Sequence, residues 1–186
     1  MNVAVIGLGY IGLPTAALIA SKGLNVVGVD TNQKIVDVIN EGKIHIIEPD
    51  LDVLVHRAVM DENLHATIKI KKADVFLIAV PTPFKNNYVP DLSYIKSAAK
   101  SIASVLKKGN LVILESTSPV GTTEKIIQWM RDERPDLIFP ELENNELMPD
   151  ISVAYCPERV LPGNVLTELS ENDRIIGGVS NQCALR

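Results

Sequence analysis

The sequence predicts an α/β domain: a doubly wound, mainly parallel sheet with helices on both faces. Three observations carry that prediction. Short runs are apolar throughout, longer amphipathic stretches alternate with them, and 186 residues at ~150 per domain make about one domain. Continuously apolar runs suit parallel strands buried on both faces. Strand–helix alternation means βαβ units with right-handed crossovers.

Strands are expected at residues 3–6, 26–29, 75–80 and 111–114, and helices over 11–22, 32–41, 51–60, 91–106 and 122–131. Gly23 and Gly109 stand just after basic residues (Lys22; Lys107 and Lys108), as helix stops should. Asp91, following Pro90, reads as an N-cap. The last third is less regular. Residues 134–149 carry three prolines and the acidic cluster Glu141-Leu142-Glu143-Asn144-Asn145-Glu146, which reads as an exposed excursion. A short strand at 153–155 and another at 174–177 follow, after which 180–186 only begins a helix. The chain stops where a further element is expected, so it reads as the first part of a longer protein.

Composition narrows the function. At 46% hydrophobic and 22% charged the chain is too apolar for disorder, and its net charge of −5 offers no broad basic footprint for nucleic acid. The longest apolar run, 75–80, falls far short of the ~20 residues that span a bilayer. The first Lys is Lys22, so the apolar N-terminus has no basic flank of a secretory signal. Cys156 and Cys183 form neither a C-x-x-C pair nor a disulfide framework, and no metal-ligand spacing occurs. The expectation is a soluble cytoplasmic protein with no membrane or nucleic-acid partner.

Gly7-Leu8-Gly9-Tyr10-Ile11-Gly12 is G-x-G-x-x-G, placed after the first strand and opening the first helix. In such a turn the first glycine permits the tight bend and the second lets the backbone approach a pyrophosphate. The third lets helix and strand pack, while the helix N-terminus offers free N–H groups. The second strand ends in Asp30, 18 residues after Gly12, where a carboxylate accepts from ribose hydroxyls and repels a 2′-phosphate. Together these predict a Rossmann-like NAD site and disfavour NADP.

Three further motifs lie at or just past strand ends, the edge of an open α/β sheet where ligands bind. They are Ala79-Val80-Pro81-Thr82-Pro83, the run Glu115-Ser116-Thr117-Ser118-Pro119-Val120-Gly121-Thr122-Thr123, and Tyr155-Cys156-Pro157-Glu158-Arg159-Val160-Leu161-Pro162-Gly163. With the glycine turn, this set strongly resembles the UDP-glucose/GDP-mannose dehydrogenase family over the whole chain. Glu48-Pro49-Asp50-Leu51, Pro83-Phe84-Lys85 and Cys156-Pro157-Glu158-Arg159 are most similar to the branch acting on UDP-N-acetyl-D-mannosamine.

The resemblance implies oxidation of the C6 hydroxyl of a UDP-sugar to a carboxylate with two NAD, through a cysteine nucleophile. That cysteine and its lysine and asparagine partners belong to a central helix and C-terminal domain beyond residue 186, so residues 1–186 are expected to be the NAD-binding domain. The complete enzyme is expected to be a homodimer. Among the residues present, Gly7, Gly9, Tyr10, Ile11, Gly12, Asp30, Thr82, Thr117 and Thr123 are implied to contact NAD. Thr117 also orders the catalytic water, Glu158 lies at the reaction centre, and Arg159 and Val160 reach the sugar nucleotide.

Plainer readings stand beside these. Tyr10 and Ile11 side chains could merely pack, Thr82 could shape a turn, Thr122 or Thr123 could only cap a helix, and Glu158 could pair with Arg159 to hold its loop. Cys156 and Cys183 read as small buried hydrophobes and His45, His56 and His65 as surface or loop residues. Trp129 reads as packing. Alternatives for the whole are a stand-alone NAD-binding regulatory module, a dehydrogenase for another UDP-sugar, or a flavin- or S-adenosylmethionine-binding domain.

Overall fold

A computed structural model describes residues 1–142 and 148–186. Most of the acidic cluster at 141–146 therefore lies outside the described residues. Among the described residues seven strands form one sheet: β1 (Asn2–Ile6), β2 (Asn25–Val29), β3 (Leu64–Thr67), β4 (Val75–Ile78), β5 (Leu111–Leu114), β6 (Ser152–Tyr155) and β7 (Gly177–Gly178). Their order is β3-β2-β1-β4-β5-β6-β7, parallel from β3 to β6, with β7 antiparallel against Ala154 and Tyr155. The chain builds outward from β1 to β3, then crosses back to place β4 on the other side of β1. That reversal opens a crevice at the carboxyl ends of β1 and β4, where ligands of doubly wound sheets bind.

Strand side chains alternate between the two faces, and both are apolar. Val3, Val5 and Leu77 join helices α1 (Gly12–Ser21), α2 (Gln33–Asn40) and α3 (Leu51–Met60) in one core. Ala4, Ile6, Phe76, Ile78, Val112 and Leu114 join α4 (Ser93–Ala103) and α5 (Thr122–Glu133) in the other. Each helix shows why it lies where it does. On α4, Ile95, Ala98, Ala99 and Ile102 repeat at helical spacing and are buried.

Several expectations are corrected. Strand β3 was not foreseen, because continuous apolar runs reveal strands buried on both faces. At this edge Leu64 and Ala66 turn inward while His65 is exposed. Helix α6 (Val165–Glu171), only seven residues anchored by Val165 and Leu169, is absent from the expected elements. The strand expected at 174–177 shrinks to Gly177–Gly178; Ile175 and Ile176 are 70% and 59% exposed, and Arg174 pairs with Glu158 and Glu115 instead of joining the sheet. Helix α4 ends at Ala103, six residues before Gly109, which instead donates its N–H to the Asp150 carbonyl at the entry to β5. Asp91 lies one residue before the N-cap, Leu92, and accepts from the Ser93 N–H at 2.9 Å. The helix expected to begin within 180–186 is present as α7 (Asn181–Ala184), with the Ser180 side chain as its cap.

Candidate functional site

The glycine turn is closed by backbone contacts that leave no room for side chains at two positions. Gly7 adopts φ +92°, and a Cβ there would lie 2.6 Å from the Ala79 carbonyl oxygen. A Cβ on Gly12 would collide with the Gly7 carbonyl, so the third glycine sets helix-to-strand packing. Gly9 differs, because a Cβ there would meet nothing within 4 Å. Its open side faces the crevice, which is the approach a diphosphate requires. No side chain caps the N-terminus of α1; in its first turn the Leu13 N–H donates to the Gly9 carbonyl at 3.1 Å and Pro14 has no N–H, so the positive dipole end and the backbone at Gly12 are what it offers an anion.

Asp30 fixes the far side of the turn. Its Oδ2 accepts from the Leu8 N–H at 3.0 Å and its Oδ1 from the Asn32 N–H at 2.9 Å. Each carboxylate oxygen keeps lone-pair capacity for a ribose hydroxyl. The phenol of Tyr10 donates to the Ile47 carbonyl at 3.0 Å, tying the turn to the loop before α3.

The ends of β4 and β5 are stitched together by hydroxyls. Ser116 Oγ lies 3.1 Å and 2.7 Å from the carbonyls of Ile78 and Val80, and Thr82 donates to the Thr117 carbonyl at 2.7 Å. These bonds bring Thr82 and Thr117 side by side at the sheet edge.

All of this opens into one cleft of about 820 Å³, within the usual span of ~300–1,000 Å³ for small-molecule and cofactor sites. Gly7, Gly9, Tyr10, Ile11, Asp30, Thr82, Thr117, Glu158, Arg159 and Val160 all line it. Gly12 stands behind the turn, and Thr123 lies outside the lining with its hydroxyl on the Glu124 carboxylate at 3.0 Å. Thr122 donates to the Pro119 carbonyl at 2.6 Å, a bond within its own turn.

Other lining residues were not singled out from sequence. Ile35, Ile68 and Ile70 form an apolar wall near Asp30, two of them just after the unforeseen β3. Tyr94, Ser97, Ala98 and Ser101 present one face of α4, a run at i, i+3, i+4 and i+7 that was there to be found. Glu115 and Ser116 line the cleft as well.

Glu158 does not pair with Arg159. Its ion-pair partner is Arg174 at 2.6 Å, and the same guanidinium nitrogen lies 3.4 Å from Glu115. Burial, then the charge of Glu158, pushes the Glu115 carboxyl up to about 7 against the pull of Arg174. A second buried carboxylate, Glu48, clamps the loop beyond Arg159. Its oxygens accept from the Gly163 and Val165 N–H groups at 2.8 and 2.7 Å, across more than a hundred residues.

The remaining candidates fall where simple packing puts them. Cys156 and Cys183 are buried; burial pushes the Cys156 thiol up, and Cys183 sulfur accepts from the Val153 N–H. His45, His56 and His65 are exposed, although partial burial of the His45 ring beside Asp30 pulls its pKa down. Trp129 packs on the core and carries the Lys96 ammonium 5.7 Å from its ring centroid. Among the described residues no cluster of His, Cys, Asp and Glu could hold a metal, and no helix is long and apolar enough to cross a membrane.

Comparison with known proteins is consistent with this geometry. The model of the UDP-glucose/GDP-mannose dehydrogenase family, NAD binding domain, matches residues 1–186. The chain is 63% identical over 184 residues to the UDP-N-acetyl-D-mannosamine dehydrogenase of Campylobacter jejuni, covering 98% of this chain and 45% of that protein. It is 60% identical over 183 residues to the NDP-N-acetyl-D-galactosaminuronic acid dehydrogenase of Ralstonia nicotianae, covering 98% and 43%. Among solved structures, the UDP-D-ManNAc dehydrogenase of Pyrococcus horikoshii superposes with a TM-score of 0.91 at 42% identity, over 100% of this chain and 43% of that one. The chain thus spans less than half the length of the relatives it matches.

Proposed function

The chain belongs to the UDP-glucose/GDP-mannose dehydrogenase family as its NAD-binding domain, and on that premise we propose that it serves an enzyme oxidising the C6 hydroxyl of UDP-N-acetyl-D-mannosamine to a carboxylate. The observation that carries the proposal is the single cleft joining the glycine turn and Asp30 to Thr117, Glu158 and Arg159. A cofactor grip at one end and polar, ionisable groups at the other is what a hydride-transfer domain needs.

The residues fit NAD. The open side of Gly9 and the uncapped start of α1 would hold the diphosphate, and Asp30 would take the adenosine ribose hydroxyls. Ile35, Ile68 and Ile70 give the adenine an apolar wall beyond Asp30. Thr82 and Thr117 would flank the nicotinamide half. When bound, NAD supplies the hydride acceptor. Glu158 would orient the reacting hydroxyl or water, and the Arg159 fork suits a phosphate or carboxylate of the sugar nucleotide. Cys156 and Cys183 are both buried, so neither offers an accessible thiol, and a thiol step would fall to the part of the relatives' length that this chain does not span. A nucleotide-sugar substrate and NAD support a cytoplasmic location, and family resemblance supports a homodimeric complete enzyme.

The test is the complete gene product with NAD and either UDP-N-acetyl-D-mannosamine or UDP-N-acetyl-D-galactosamine. The second sugar is included because the 60% relative acts in galactosaminuronic acid chemistry by name. The proposal expects two NADH per mannosamine sugar consumed. Turnover of the galactosamine sugar alone would reassign the substrate, and no NAD reduction with either would overturn the proposal.

A further inference from the structure

At the wall of the cleft one cation faces two carboxylates. Glu115 follows β5 and its side chain is fully buried, Glu158 follows β6 at 8% side-chain exposure, and Arg174 reaches both from the segment after α6. Its Nη1 lies 2.6 Å from Glu158 Oε1 and donates to Glu115 Oε1 at 3.4 Å; the Thr15 hydroxyl of α1 reaches the same Glu115 oxygen at 3.5 Å. Cys156 is the other titratable group facing this trio. Two atoms are left over. Glu115 Oε2 is buried without a hydrogen-bond partner, and Glu158 Oε1, though ion-paired, lacks an aligned hydrogen bond.

Two ionised carboxylates and one guanidinium would leave a net negative charge where water is scarce, which is costly. A single proton removes the excess. Glu115 is the more deeply buried carboxyl and the farther from the cation, so the proton belongs on it. Its O–H then has the Glu158 carboxylate to donate to, and the orphaned oxygens gain a partner.

We infer that Arg174 and Glu115 are positioning residues for Glu158: the guanidinium, and a proton held on Glu115, together fix the Glu158 carboxylate at the cleft. The inference rests on the proposal that Glu158 acts at the reaction centre. Burial of Glu115 and its proximity to Glu158 agree in direction, since both favour its protonated form. Loss of that proton at higher pH makes Glu115 compete for Arg174 and loosens Glu158.

Two measurements on the complete gene product test this. The first is pH-difference infrared spectroscopy, which needs no substrate. A protonated-carboxyl band is expected that fades as pH rises through about 7 and is missing from Glu115→Gln. Absence of such a band, or its persistence in Glu115→Gln, overturns the inference whatever the enzyme's substrate. The second is kinetic, on Arg174→Met and Arg174→Lys. Arg174→Met is expected to lower kcat by about a hundredfold or more, the scale of a misplaced acid–base group. Its acid limb should move to higher pH, and Arg174→Lys should recover part of the loss, with NAD affinity in both within about twofold of wild type. Equal losses in the two variants with an unmoved acid limb would overturn the positioning role. Where Arg174→Met does not fold, Arg174→Lys and the infrared band decide.

Discussion

The glycine turn and the segment after β6 both deliver residues to the cleft, but they are held by different means. The turn is fixed by its own backbone: Gly7 and Gly12 are excluded from carrying side chains by neighbouring carbonyls, and Asp30 pins two N–H groups nearby in space. The segment after β6 is irregular over 156–164 and again over 172–176 on either side of α6, and it is held by buried charge, with Glu48 on Gly163 and Val165, and Arg174 on Glu158 and Glu115. Backbone-fixed sites depend on space. Charge-fixed ones depend on partners and on pH.

The sharpest way to break this contrast is to fill space in the turn. Gly12→Val sets methyl groups against the Gly7 carbonyl, and nothing there can yield without moving β1. Loss of NAD affinity by more than about a hundredfold and destabilisation of about 2–4 kcal/mol are expected, by titration and thermal unfolding. Wild-type affinity would show the turn to be softer than its contacts indicate.

The charge-fixed region should instead answer to pH. Below pH 4.5 Glu115 is protonated folded or unfolded; between there and about 7 the folded state holds the proton more tightly. Stability should therefore fall as pH rises through that window and level off above it, by on the order of 3 kcal/mol in total. Glu115→Gln should flatten this dependence in denaturant melts. A profile unchanged by the substitution would remove Glu115 as its source.

Glu48→Gln should act next, by about 1–3 kcal/mol, because an amide nitrogen cannot accept and one of the Gly163 and Val165 N–H groups is left unpaired in the interior. Hydrogen exchange should quicken at 161–166 and stay unchanged in the turn. Quickened exchange in both would mean that the two regions are not independent. Thr123→Val should be the mildest change, with NAD affinity within about twofold, since its hydroxyl sits on Glu124 outside the cleft.

The same contrast explains what the sequence made legible. Gly7, Gly9, Gly12 and Asp30 are close in sequence and follow from chain geometry, so the turn and the strands around it could be read directly. Strand β3 was missed because an edge strand alternates rather than running apolar, and α6 because seven residues with two anchors make a weak pattern. The Glu115–Arg174 and Glu48–Val165 bonds join residues 59 and 117 apart, and nothing local announces such a partner. Arg159 was the nearest arginine to Glu158 in sequence, yet the fold supplies Arg174.

The central claim is that the cleft at the crossing of β1 and β4 is an NAD site selected by Asp30. Calorimetric titration with NAD and NADP, on the wild type and on Asp30→Asn, tests it most directly. NAD should bind at least about tenfold more tightly than NADP, and Asp30→Asn should narrow that gap, since its carboxylate charge is what disfavours a 2′-phosphate. Equal or tighter binding of NADP by the wild type, or an unchanged ratio in Asp30→Asn, would contradict it.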